Sequence, residues 1–146
     1  TDKEFPFVIG HTGIKVKTIP LVEKVKKLYD KNGSIIGSIF DQMETLSNEA
    51  TEAMKNYDLE RIGELMDINQ GLLYTIGVSS GILEEMIFAT KEAGAIGAKL
   101  CGAGVGDYMI CLCPGKESEV KDALNKTGGK AVEAKMATEG LKVVHK

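Results

Sequence analysis

Basic charge is not in excess in this chain: 18 lysines and arginines stand against 21 acidic residues, leaving a net charge of −3. Without a positive field to neutralise several phosphates, nucleic acid is excluded as a partner class. No apolar run approaches the roughly 20 residues that span a bilayer, and the charged start, Thr1-Asp2-Lys3-Glu4, does not resemble a signal peptide. A soluble, cytoplasmic protein without a membrane partner is therefore expected. Cysteine is scarce and odd in number, three in all, which argues against a disulfide framework. A zinc site would take four ligands; Cys101, Cys111 and Cys113 with His11 or His145 lack Cys-x-x-Cys spacing, so no metal is assigned. Repeats and low-complexity tracts are missing too.

What is present is ordinary globular material, 43% apolar and 27% charged, in a length that suits one core, so residues 1–146 are expected to form a single domain. Phe5 to Gly10 reads as a strand. After Pro20, which suits a first helical turn, Val22, Val25, Leu28 and Tyr29 recur at helical spacing up to Asn32-Gly33. Ser34 is expected to cap the next helix, on which Ile36, Ile39, Phe40, Met43, Leu46, Ala50, Ala53 and Met54 hold the period. Asp58 looks like the N-cap of its partner, which runs to Gly77 with Gly63 and Gly71 as tolerated misfits. From Ser79 or Ser80 a fourth helix places Leu83, Met86, Ile87 and Thr90 on one face, with Glu84 and Glu85 near its positive end.

Ala98 to Leu100 and Tyr108 to Cys113 read as strands around a glycine-rich turn, Ser118 to Lys126 as a helix, and the alternation from Val132 to Val144 as a strand pair. The fold class is α+β: a two-layer sandwich with helices on one side of the sheet, most economically a ferredoxin-like split β-α-β core with an inserted helical hairpin.

Gly97-Ala98-Lys99-Leu100-Cys101-Gly102-Ala103-Gly104-Val105-Gly106-Asp107 is hard to explain by packing alone. Its four glycines and two alanines strip the backbone of bulk, so that amides can approach an anion and φ can turn positive. It matches neither G-x-G-x-x-G, whose last glycine would fall at Asp107, nor the Walker pattern, and it leads into a strand instead of a helix. By spacing alone a tight hairpin and a ligand loop both stay open, since glycines mark both.

Gly97 to Gly104 followed by an apolar strand resembles the third conserved motif of the GHMP kinases, G-A-K-L-[TS]-G-A-G-G-G-G/D. Upstream, Met66-Asp67-Ile68-Asn69-Gln70-Gly71-Leu72-Leu73 is similar to the family's Met-x-x-Asn-[HQ]-x-Leu-Leu helix. Ile76-Gly77-Val78-Ser79 is similar to its Leu-Gly-Val-Ser segment, and Thr12-Gly13-Ile14-Lys15 with Thr18 to the segment after its first C-terminal-domain strand. The match is colinear over nearly the whole chain and comes nearest to mevalonate kinases of the archaeal type.

The resemblance implies the C-terminal domain of a two-domain kinase that uses ATP and Mg²⁺ to phosphorylate a small-molecule alcohol, mevalonate in the first instance, in isoprenoid precursor synthesis. It places Gly102, Ala103, Gly104 and Gly106 at the domain cleft, with Cys101 and Asp107 at the ends of that loop. Thr12 would be the nearest side-chain hydroxyl to the acceptor, Asn69 and Gln70 would support the loop from the helix behind it, and Ser79 would lie near the acceptor pocket. Cys101 replaces the usual Thr or Ser, Val105 replaces a glycine, and Asp107 stands where phosphomevalonate kinases often carry Asp. No P-x-x-x-G-L-G-S-S-A segment, the family's main triphosphate cradle, occurs in these residues. An N-terminal kinase domain is accordingly expected as a partner, with little activity in its absence.

Plainer readings accompany these. His11 suits a solvated turn, Lys15 and Lys17 the polar face beside a strand, Ser79 and Ser80 helix caps, Asn69 and Gln70 an exposed helix stripe, and Asp107 a turn. The competing functions are a stand-alone ferredoxin-like module that binds a metabolite or pairs with itself as a homodimer, and a phosphomevalonate kinase half; an interaction scaffold built on the long helices ranks last.

Overall fold

The computed structural model describes residues 3–132 of the chain. In order, these form β1 (Phe7–His11), α1 (Thr18–Lys31), α2 (Gly33–Asn56), α3 (Leu59–Thr75), α4 (Gly81–Glu92), β2 (Gly97–Cys101), β3 (Tyr108–Leu112), α5 (Glu117–Lys126) and β4 (Lys130–Val132). Of the strand pair expected from Val132 to Val144, Val132 ends β4 and the rest lies outside the described residues.

The strands make one four-stranded sheet in the order β2-β3-β1-β4, every neighbouring pair antiparallel. Because side chains alternate across a strand, the register Val8↔Cys111, Gly10↔Met109, Ala98↔Cys111 and Leu100↔Met109 gathers one face of small and apolar residues. Leu83, Met86 and Ile87 of α4 and Val120 and Leu124 of α5 pack on this inner face to form the main core. Such side chains contribute roughly 1.5–3 kcal/mol each on burial.

Contrary to the expectation of helices on one side of the sheet, they cover both faces. Gly63 of α3 meets Gly97 of β2 so closely that a Cβ on Gly97 would stand 2.5 Å from the Gly63 Cα. This approach lets α3 run along the free edge of β2, and its far side turns over onto the second sheet face. There Ile62 and Met66, with Ala53 of α2, pack on Phe5, Phe7 and Leu112. Gly63, which reads as a misfit in the helical pattern, is the residue that permits the contact: a Cβ there would lie 2.6 Å from the Ile96 carbonyl oxygen.

Asp58 does cap α3, accepting the Arg61 amide at 3.0 Å. Ser34 does not cap α2. The carbonyl of Asn32 already accepts from Ile35 at 3.0 Å and Ile36 at 2.9 Å, so the helix begins before Ser34, and Asn32 serves as both the end of α1 and the entry to α2. Val22 and Tyr29, which share the apolar spacing of α1, are exposed, and Leu21 is the buried residue of that helix.

Candidate functional site

Residues 102–107 connect β2 to β3, and their backbone is bent by left-handed residues: φ is +85° at Gly102, +89° at Gly104, +63° at Val105 and +61° at Asp107. For the two non-glycine residues this conformation costs on the order of 1–2 kcal/mol each. Three backbone bonds hold it in place. Val105 donates to the Val78 carbonyl at 2.7 Å, Asp107 donates to the Ile14 carbonyl at 3.0 Å, and Thr12 donates to the Asp107 carbonyl at 2.8 Å. The loop is thereby clamped between the segment before α4 and the segment after β1.

Two glycines are required by those clamps. A Cβ on Gly104 would lie 2.1 Å from the Val78 carbonyl oxygen, and one on Gly106 would lie 2.6 Å from the Val16 side chain and 2.9 Å from the Ile14 carbonyl oxygen. Gly102 is different: nothing lies within 4 Å of a Cβ placed there. Gly102 and Cys101 are exposed and Ala103 half-buried, and among the described residues no acceptor lies against the amides of Gly102 and Ala103. The tip of the loop is an open patch of backbone donors carried on a rigid base, the surface an anionic oxygen needs.

Behind the loop, β2 is the edge strand, and side chains of α3 take up its outward amides. Asp67 accepts from Ala98 at 2.9 Å, and Gln70 accepts from Leu100 at 2.8 Å. The buried Gln70 also donates to Ser79 at 3.1 Å and to Glu84 at 2.8 Å, while the Ser79 hydroxyl donates to the same Glu84 oxygen in a close hydrogen bond. Lys91 closes the other end with a close contact to Asp67 and a 3.1 Å bond to the Ile96 carbonyl. Glu84 at the centre of this network reads from the sequence only as an acidic residue near a helix start; its bonds to Gln70 and Ser79 depend on where the fold brings the middle of α3 and the start of α4.

The candidates separate accordingly. Cys101, Gly102, Ala103, Gly104, Gly106 and Asp107 share the loop; Gln70 and Ser79 share the network behind it. Asn69 points elsewhere, into a hollow between α2, α3 and the second sheet face. Thr12 is buried and its hydroxyl oxygen accepts the Ile14 amide at 3.1 Å, shaping the turn that clamps Asp107. Ser79 is not a helix cap: α4 is entered at Ser80, which makes no side-chain cap bond, and whose hydroxyl oxygen is buried without a partner among the described residues. The His11 ring packs on Tyr108 at a tilt of 39°, with ring centroids 4.5 Å apart. An apolar cavity of about 510 Å³ between α1 and α2 reaches the loop at Ala103 and is bordered by Thr18, Val22 and Tyr29, which explains the exposure of the latter two.

A four-stranded antiparallel sheet backed by helices, with a clamped glycine loop at the end of its edge strand, defines an α+β domain with an open loop of backbone donors. Residues 50–130 match the family described as GHMP kinases C terminal, and the chain belongs to that family. It is 43% identical over 145 residues to the mevalonate kinase of Thermococcus sibiricus, an alignment covering 96% of this chain and 44% of that protein. Among solved structures it is similar to L. major mevalonate kinase in complex with R-mevalonate, with TM-score 0.76 and 31% identity over 85% of this chain and 37% of that one. It is also similar to Methanococcus jannaschii mevalonate kinase, with TM-score 0.74 and 30% identity over 90% of this chain and 39% of that one. The chain thus spans less than half the length of the relatives it matches. Among the described residues no helix is long and apolar enough to cross a membrane.

Proposed function

We propose that these residues are the C-terminal domain of an ATP-dependent kinase acting on mevalonate in isoprenoid precursor synthesis, and that loop 102–106 supplies backbone donors to the phosphoryl group in a cleft completed by an N-terminal half. The observation that carries the reading is the loop itself: unpaired amides at Gly102 and Ala103 on a base fixed by Val78, Ile14 and Thr12. Phosphoryl transfer depends on holding charge and geometry in line, and donors that need no rearrangement serve it best. The similarity to mevalonate kinases over 96% of the chain supports the acceptor. The sheet order and its β-α-β-β-α-β path support the ferredoxin-like core, with α2 and α3 as the inserted hairpin.

ATP fits this surface in part. The loop has donors for phosphate oxygens, but among the described residues no three His, Cys, Asp or Glu side chains converge on one position. Mg²⁺ and most of the triphosphate would therefore be held by the complementing half, and bound metal would supply charge neutralisation on the phosphates. In this division Gly102 and Ala103 orient the transferred group, while Gln70, Ser79 and Glu84 keep the loop from shifting.

The test is a chimera in which this chain replaces the matching residues of the Thermococcus sibiricus relative, assayed for ADP release with MgATP. Turnover that depends on mevalonate is the expected result, with the isolated chain inactive and phosphomevalonate the poorer acceptor. A folded chimera without turnover, or tight mevalonate binding by the isolated chain, would overturn the reading.

A further inference from the structure

Lys99 lies on the second sheet face, in register with Ile110, at the mouth of a hollow of about 300 Å³ between the sheet and the α2–α3 hairpin. The hollow is walled by Phe7, Leu46, Ala50 and Met66, with the Asn69 carboxamide beside them. Burial pushes the Lys99 pKa down. Its ammonium donates to the Leu100 carbonyl at 2.8 Å; the ionisable group that acts on it is the Cys101 thiol, which opposes the effect of burial, and among the described residues no carboxylate pairs with it. A partly desolvated cation without a counter-ion is unfavourable, and pairing it with an anion relieves the cost.

The space beside that cation decides the anion's character. About 300 Å³ is room for about ten waters, at the lower end of small-molecule sites. Its walls are apolar apart from one ammonium, one carboxamide and the Ser47 hydroxyl, and that hydroxyl already donates to the Met43 carbonyl at 2.8 Å. One positive charge and one amide donor balance a monoanion; a phosphate dianion would leave a second charge buried without a partner.

We infer that the hollow between α2, α3 and the second sheet face binds a small carboxylate with a short apolar tail, its carboxylate between Lys99 and Asn69 and its tail against Phe7, Leu46 and Ala50. The site is separate from the glycine loop, and the inference does not rest on the kinase reading. Because Lys99 lies on the strand that leads into Gly102, a bound carboxylate would also stiffen the base of that loop.

The test is calorimetric titration of hexanoate into the chain at pH 7, with hexanol as the probe that keeps the tail and acetate as the probe that keeps the charge. Hexanoate is expected to bind saturably and at least tenfold tighter than either. Lys99→Met, which removes the cation, and Ala50→Leu, which fills the hollow, are each expected to weaken hexanoate at least tenfold. Circular dichroism selects whichever variant unfolds at or above the parent's thermal transition. Hexanoate binding no tighter than hexanol, or unchanged binding by either folded variant, overturns the site.

Discussion

The carboxamide oxygen of Gln70 accepts the Leu100 amide at 2.8 Å across 30 residues of sequence, tying the middle of α3 to the edge strand just before the glycine loop. The same side chain donates to Glu84 at 2.8 Å, so one residue joins α3, β2 and α4. An edge strand ordinarily leaves its outward amides to water; here Gln70 and Asp67 take them instead.

Gln70→Leu should therefore cost more than a surface change. It leaves the Leu100 amide without an acceptor and Glu84 without one of its donors, each worth about 1–3 kcal/mol when buried. A lower urea midpoint with unchanged slope is expected, together with faster hydrogen exchange at the Leu100 amide. Gln70→Glu keeps the acceptor for Leu100 but sets a second carboxylate beside Glu84; like charges favour protonation of one of the pair, so its deficit should shrink as pH falls from neutral toward the ordinary carboxylate range. A Gln70→Leu midpoint equal to the parent's would remove the network from the account of loop rigidity.

The loop glycines should rank by what faces them. Gly104 combines φ +89° with a Cβ position 2.1 Å from the Val78 carbonyl, so Gly104→Ala must break the Val105–Val78 bond as well as accept strain, a loss on the order of 3 kcal/mol. Gly102 shares the positive φ, +85°, but faces open space, and Gly102→Ala should lose only about 1–2 kcal/mol. Chemical denaturation of the pair checks the order; equal losses would mean that the clamp at Val78 contributes nothing.

The sequence made these glycines conspicuous without saying what each is for. Helix periodicity located α2, α3 and α4, and the Asp58 cap is visible because its geometry is local. Gly63 is a misfit in that same pattern because its reason, the approach of β2, comes from residues more than thirty positions away. Gln70 looks like an exposed polar position on a helix wheel; the family resemblance rather than the periodicity put it behind the loop, where the structure finds it buried. Asn69, suggested on the same grounds, is one residue earlier and turns by about 100° to the hollow. Thr12 shows how a hydroxyl beside a glycine can serve a turn: its oxygen accepts the Ile14 amide.

Lys99 links stability to pH. Burial lowers its pKa in the folded chain below the value of an unfolded lysine, so between the two values the unfolded state binds more protons and stability rises with pH. The unfavourable contribution is fully present below the folded pKa and fades as pH rises toward about 10.4. Lys99→Met should be at least as stable as the parent at pH 7, and its advantage should narrow by pH 10. Denaturation midpoints of both chains at the two pH values check this; an advantage that widens with pH would reverse the sign and discard burial as the cause.

Cys101 gives chemical access to the loop. It is exposed, whereas Cys111 and Cys113 are buried, their thiols directed at the carbonyls of Val8 at 3.4 Å and Pro6 at 3.6 Å. The adjoining Cys113 thiol and burial push the Cys111 thiol far up from its ordinary range, which makes it inert as a nucleophile; the same contact pulls the Cys113 thiol down, and it is burial that withholds Cys113 from the reagent. A disulfide-exchange reagent at pH 8 should thus count one fast thiol in the folded chain and three after denaturation. Because Cys101 precedes Gly102, an acetamide group attached there would crowd the open donors at the loop tip without entering the core. Alkylated chimera should lose at least tenfold in mevalonate-dependent ADP release while keeping its denaturation midpoint, and a Cys101→Ser chimera should resist the reagent. Full turnover by stoichiometrically alkylated protein would place the transferred phosphate away from Gly102, and the proposed role of the loop would fail with it.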